Sequence, residues 1–210
     1  MRTLVMDFDG TMVTEDVGDA LCERLADPSW RVWDQAWERG EMPLHEAQER
    51  MWATLHATPE QLGAAVDAIA RRRHGLDAFL ADARRGFDRL VLASGGFDWY
   101  IERTLGETLS LFDEIWCNTL VPAEGGVQVG FPHLSSLGCG LCAVCKGIVC
   151  GRQQGQVSFV GDGTSDRCAV GRAHRMAAVR GSRLAAGCRA AGVGAIEFDS
   201  FDDLRPWLTP

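Results

Sequence analysis

The sequence predicts an α/β fold with a mainly parallel central sheet and a helical module inserted after the first strand. Three observations predict it. An apolar run near the amino terminus, Thr3-Leu4-Val5-Met6, ends in Asp7-Phe8-Asp9-Gly10-Thr11. Residues 15 to 86 then carry helical periodicity. From residue 86 onward short apolar runs alternate with helical stretches, the rhythm of parallel strands joined by right-handed crossovers.

The 210 residues suffice for one sizeable core and a modest second module. Hydrophobic residues make up 46% and charged residues 24%, which sets the chain apart from disordered sequences. A net charge of −8 argues against nucleic acid or an anionic membrane as partner. The apolar opening is too short for a secretory signal and is interrupted by Asp7 and Asp9, and no apolar run is long enough to span a bilayer. The expectation is a cytoplasmic protein whose eight cysteines are mostly reduced. Nothing in the sequence speaks to oligomeric state.

Residues 2–8 read as a buried strand. Ala20, Leu21 and Leu25 mark a first helical face, and Trp30, Trp33 and Trp37 a second at i, i+3, i+7, read as core packing. Pro43 opens a third helix through Leu44, Ala47 and Met51. Thr58-Pro59-Glu60-Gln61 is an N-cap with proline just inside, opening a fourth. The run Arg71-Arg72-Arg73 reads as a solvated face, and a fifth helix covers about 75–85. A second buried strand, 88–94, ends at Ser94-Gly95-Gly96, before a helix near 97–107. A strand from 112 to 121 turns through Glu124-Gly125-Gly126 into a hairpin. The irregular segment 130–142 precedes a helix from Lys146 to about 153. The strand 157–160 ends in Gly161-Asp162-Gly163-Thr164-Ser165-Asp166. A helix, the strand 175–179, a helix near 182–191, the strand 194–198 and a final helix complete the chain. Residues 15–86 are expected to form a cap, and 1–14 with 87–210 the core.

Ligands of open α/β sheets sit at the carboxyl ends of strands. Asp7 and Asp9, Ser94, and Asp162 and Asp166 all fall at such ends. Four neighbouring carboxylates cannot all stay ionised without a cation, and a hard divalent ion with oxygen ligands, Mg²⁺, relieves the repulsion. Ser94, Gly95 and Gly96 offer a hydroxyl and backbone N–H groups to an anion, and Lys146 a positive charge. A carboxylate nucleophile, a second carboxylate for proton transfer, a cation and anion donors together make the apparatus of phosphoryl transfer.

These motifs, in this order, resemble those of the haloacid dehalogenase superfamily, and the likeness covers the whole chain. The resemblance implies a Rossmann-like core carrying a small helical-bundle cap, and phosphatase chemistry through an aspartyl-phosphate. It implies Asp7 as nucleophile and Asp9 as general acid/base. It implies Mg²⁺ held by Asp7, the Asp9 carbonyl and Asp162 with support from Asp166, and a phosphoryl group bound by Thr11, Ser94, Gly95 and Lys146. In the cap, Asp16 and Arg50 are substrate candidates. The helical insert resembles the phosphoserine phosphatase-like branch. The cap segment from Gly40 to Met51, Ser94-Gly95-Gly96-Phe97-Asp98, and Pro132-His133 with the cysteines leading into Lys146 resemble the 2-hydroxy-3-keto-5-methylthiopentenyl-1-phosphate phosphatases of methionine salvage. The expected partner is a small phosphorylated metabolite. Alternatives are phosphoserine or a natural-product phosphate, or, in another class, a zinc-binding or redox-sensing regulatory protein. His133, Cys139, Cys142, Cys145 and Cys150 could hold a structural Zn²⁺ or remain free thiols.

Overall fold

A computed structural model describes residues 1–208. Seven strands form one sheet: β1 (Arg2–Met6), β2 (Arg89–Phe97), β3 (Glu114–Ala123), β4 (Gly126–Gly130), β5 (Gln156–Gly161), β6 (Arg175–Val179) and β7 (Ala195–Phe198). Their order is β4-β3-β2-β1-β5-β6-β7. Every pairing is parallel except the β3–β4 hairpin. The hairpin turns at Gly125, whose φ of 83° few side chains tolerate.

The near-continuous apolar strands are explained by burial on both faces. Leu4, Met6, Leu90 and Leu92 point into one core, while Val5, Val91, Ala93 and Phe159 point into another across the sheet. Met6 pairs with Leu92 on one side and with Val160 on the other. Asp7, Ala93 and Gly161, the next residues along the three strands, therefore fall at one level, and the segments that follow them meet at one edge.

Five helices separate β1 from β2: α1 (Val17–Leu25), α2 (Trp30–Glu38), α3 (Leu44–Trp52), α4 (Pro59–Ile69) and α5 (Leu76–Gly86). Thr58 and Gln61 form a capping box at α4, with Pro59 inside it. The fifth helix carries Phe79, whose ring meets that of Phe201 at 5.0 Å in the sheet-side core. We propose on this packing that the cap comprises α1–α4 and that α5 belongs with the core.

After β2 come α6 (Asp98–Leu105), α7 (Leu134–Leu137), α8 (Lys146–Arg152) and α9 (Arg183–Ala190). The helices expected after Asp166 and at the carboxyl end are 3-10 segments, Ser165–Ala169 and Phe201–Leu208. Pro206 lies inside the latter, and it removes one backbone donor there. Among the described residues no helix is long and apolar enough to cross a membrane.

Within the arginine run Arg71 is exposed, as expected of a solvated face, but Arg72 and Arg73 are not. Arg72 donates to the carbonyls of Thr104 and Leu105 at 2.8 and 2.6 Å. Arg73 donates to the carbonyls of Thr11 and Gly10 at 2.8 and 2.6 Å. A planar guanidinium fork thus holds the turn that follows β1.

Candidate active site

Asp7 follows β1 directly, and its N–H donates to the Val160 carbonyl at 2.9 Å, fixing it beside β5. Lys146 begins α8 and is 1% exposed. Its ammonium lies 3.2 Å from Asp7 Oδ1 and 3.3 Å from Asp166 Oδ1, and it donates to Ser165 Oγ at 2.7 Å. Burial opposes the charge on Lys146, but Asp7 and Asp166 outweigh burial and raise its pKa, so it stays a cation. Burial, followed by Asp166, raises the Asp7 pKa, while Lys146 opposes the rise.

Asp166 is anchored by accepting the N–H groups of Asp162 and Gly163 through Oδ2, at 2.8 and 2.9 Å. Its buried Oδ1 has no hydrogen-bond partner and faces Lys146. Thr11, expected at the phosphate, donates instead to Asp162 Oδ1 at 2.8 Å and is fully buried. Gly10 sits at φ 66°, and a Cβ there would strike the Asp162 carboxylate. Burial, then Asp166, pushes the Asp162 carboxyl up to about 7.

Carboxylate oxygens of Asp7, Asp162 and Asp166 lie within 4.8 Å of one another. Three hard oxygen donors, one of them lacking a hydrogen-bond partner, fit a Mg²⁺ ion. The Asp9 side chain is outside this group. Its Oδ1 accepts the Val17 N–H at 3.0 Å and its Oδ2 the Tyr100 hydroxyl at 3.0 Å. Burial, then Asp16, raises the Asp9 pKa well above the usual carboxylate range.

At the end of β2 the fully buried Ser94 accepts the Gly96 N–H at 2.9 Å. The Gly95 carbonyl is held by Asn118 at 2.7 Å and by Gln48 of α3 at 2.9 Å. A Cβ at Gly96 would collide with the Tyr100 hydroxyl and with Asp9. The cap touches the core again where the Leu44 N–H meets the Leu141 carbonyl at 2.8 Å, and where Glu38 pairs with Arg183.

A cavity of about 250 Å³ lies between cap and strand ends. Asp7, Asp9, Asp16, Ser94, Gly95, Lys146 and Asp162 all border it. Arg50 does not: its guanidinium stacks 4.7 Å from the Trp33 ring and lies 3.9 Å from Glu46. Instead the cap contributes Asp19, Asp34, Glu38, Trp37 and Trp52.

The sequence reading missed Tyr100, Gln48 and Asn118, and took Arg73 for part of a solvated face. Tyr100 carried a signal, being the chain's only tyrosine and lying in the first turn of the helix that follows Ser94-Gly95-Gly96. The cysteine set changes as well. The sulfurs of Cys139, Cys142, Cys145 and Cys168 gather within 4.8 Å of one another. Cys150 is five residues into the chain beyond Cys145, about 140° around the helix, and packs into the second core. His133 lies edge-on to Trp116, 4.9 Å between ring centroids.

The haloacid dehalogenase-like hydrolase family matches residues 4–170. A 2-hydroxy-3-keto-5-methylthiopentenyl-1-phosphate phosphatase of Exiguobacterium is 25% identical, over 98% of this chain and 96% of its own length. The bifunctional enzyme MtnB/MtnX of Bacillus licheniformis is 26% identical over 78% of this chain, which spans only 39% of that relative. A substrate-bound phosphoserine phosphatase structure superposes with a TM-score of 0.70 at 17% identity, covering 98% of this chain and 97% of that one. The chain belongs to the haloacid dehalogenase-like hydrolase family. It is thus an enzyme with a hydrolase's α/β architecture, and the regulatory-protein alternative falls away.

Proposed function

We propose that this hydrolase is a Mg²⁺-dependent phosphatase acting on a small phosphate monoester, with Asp7 as nucleophile. The observation that carries the reading is the buried Lys146 ammonium, 3.2 Å from Asp7 and 3.3 Å from Asp166 at the floor of the cavity. A cation sealed among carboxylates at a strand end can hold Asp7 ionised and oriented while presenting charge to an incoming phosphoryl group.

Asp7 attacks phosphorus, forming an acyl-phosphate as the ester oxygen departs. Asp9, its pKa raised by burial, delivers the proton that the departing alkoxide takes up. Asp9 then takes a proton from water as that water attacks phosphorus, which frees phosphate and restores Asp7. Ser94 and the Gly95 N–H, beside Lys146, hold the phosphoryl oxygens. Asp7, Asp162 and Asp166 would hold Mg²⁺, which supplies positive charge to the phosphoryl oxygens and relieves carboxylate repulsion. The cap contacts at Gln48, Leu44 and Glu38 hold the cap over the strand ends where the acyl-phosphate forms.

Similarity to the Exiguobacterium enzyme supports its named substrate, and Leu44, Met51 and Trp52 give the cavity an apolar side for a thioether tail. A second reading comes from charge. Asp16, Asp19, Asp34 and Glu38 crowd the cap side of the cavity. Burial, then Asp16, pushes Asp19 up to about 9. A protonated amine on the leaving alcohol would let these acids ionise, and the tryptophans would stack on it. A carboxylate-bearing ester such as phosphoserine fits less well, since Arg50 lies outside the cavity and Arg183 is paired with Glu38. Comparing kcat/KM for the methylthio ester, an aminoalkyl phosphate and phosphoserine, with and without Mg²⁺, separates these readings. Metal-independent or absent hydrolysis across the panel would contradict the proposal.

A further inference from the structure

We propose that Cys139, Cys142, Cys145 and Cys168 form a four-thiolate site for Zn²⁺, separate from the catalytic centre. The four sulfurs lie within 4.8 Å of one another, and those of Cys142 and Cys168 are 4.0 Å apart. Zinc–sulfur bonds of about 2.3 Å in a tetrahedron set sulfurs about 3.8 Å apart. The group needs a contraction of no more than about 1 Å to meet that spacing. None of these cysteines is in a disulfide.

The backbone is arranged as a ligand turn. Gly140, at φ 86°, bends the chain between the first two cysteines. The Cys142 N–H then points at Cys139 Sγ, 3.4 Å away, and the Cys139 N–H donates to the Cys142 carbonyl at 3.2 Å. Amides aimed at sulfur favour thiolate over thiol. The Cys145 N–H donates to the Leu137 carbonyl at 2.9 Å, closing the loop.

The fourth ligand comes from the 3-10 segment Ser165–Ala169. Gly147 permits it, since a Cβ at that position would strike the Cys168 carbonyl. Cys142 and Cys145 are buried while Cys139 is exposed, so the site is sheltered yet reachable by an ion. Soft sulfur donors in a compact four-fold set select a d¹⁰ ion over Mg²⁺. Binding forms four Zn–S bonds and releases the thiol protons to water.

The placement gives such an ion a purpose. Cys145 immediately precedes Lys146, and Cys168 follows Asp166 by two residues. A bound ion would tie the start of α8 to the segment carrying Asp166, fixing the 3.3 Å approach of Lys146 to Asp166. The ion acts on structure, outside the reaction itself.

The test is zinc content by elemental analysis of the full chain, after purification under reducing conditions and equilibration with Zn²⁺, followed by dialysis against a weak chelator. The wild type and Cys150→Ala should each keep one zinc per chain. Cys168→Ala and the exposed Cys139→Ala should lose it, with affinity reduced by more than the about 10–100-fold typical of losing an outer-shell partner. Stripping zinc should lower the wild-type Tm and leave the Cys168→Ala Tm unchanged. Wild type that retains no zinc, a Cys168→Ala variant that keeps it, iron in its place, or Cys–Cys disulfides in the reduced preparation would each overturn the assignment.

Discussion

The Tyr100 hydroxyl donates to Asp9 Oδ2 at 3.0 Å, joining the helix after β2 to the acid after β1. Burial, then the charge of Asp9, keeps the phenol protonated and a donor. With the Val17 N–H on the other oxygen, Asp9 is fixed in one orientation. A hydrogen bond to the ionised carboxyl favours that form, so removing it raises the Asp9 pKa further. Tyr100→Phe should therefore lower kcat by about 10-fold and move the Asp9 limb of the pH–rate profile upward. A profile that keeps its position would show that Tyr100 serves packing alone.

Arg73 should matter to stability more than its place in a run of arginines implies. It holds the Gly10 and Thr11 carbonyls and stacks on Phe198. Arg73→Ala should cost about 2–3 kcal/mol in denaturant unfolding, the scale of leaving buried acceptors without a charged donor. Arg73→Lys should recover little of it, because a point charge cannot span two carbonyls.

The metal site carries a pH signature. The folded pKa of Asp162 is raised to about 7, through burial and then Asp166, and Asp7 is raised as well. A raised folded pKa contributes stability that is complete below the unfolded value and is lost as pH rises through the folded one. The metal-free protein should lose this stabilisation between about pH 4 and pH 7. Mg²⁺ binds the deprotonated carboxylates, so its gain in Tm should be larger at about pH 8 than at about pH 5.5. Differential scanning calorimetry with and without Mg²⁺ reads this, and Asp162→Asn should flatten the difference.

Arg50→Ala should leave KM within about two-fold of wild type, since its guanidinium stacks on Trp33 away from the cavity. Asp34→Asn, on the cavity wall, should change KM for an amine-bearing ester much more than for a neutral one.

Much of this was legible in the sequence because strand ends and motif residues are local signals. The run 175–179 coincides with β6, and Asp7, Ser94 and Asp162 converge because adjacent parallel strands bring them together, while Lys146 reaches them from the start of α8. What was not legible depends on tertiary packing. Helical periodicity cannot tell α5, packed on Phe201, from the cap helices before it. The roles of Arg73 and Gln48 depend on carbonyls distant in sequence. Cys168 stood far from the other cysteines, yet its place two residues beyond Asp166 tied it to the segment beside Lys146.

The central claim is that Asp7 accepts the phosphoryl group. Its most direct test is steady-state hydrolysis of an aryl phosphate by Asp7→Asn with Mg²⁺ present, alongside circular dichroism to confirm the fold. Turnover reduced by at least about 10³-fold with an unchanged spectrum is the predicted result. Near-native turnover by the folded variant would contradict it.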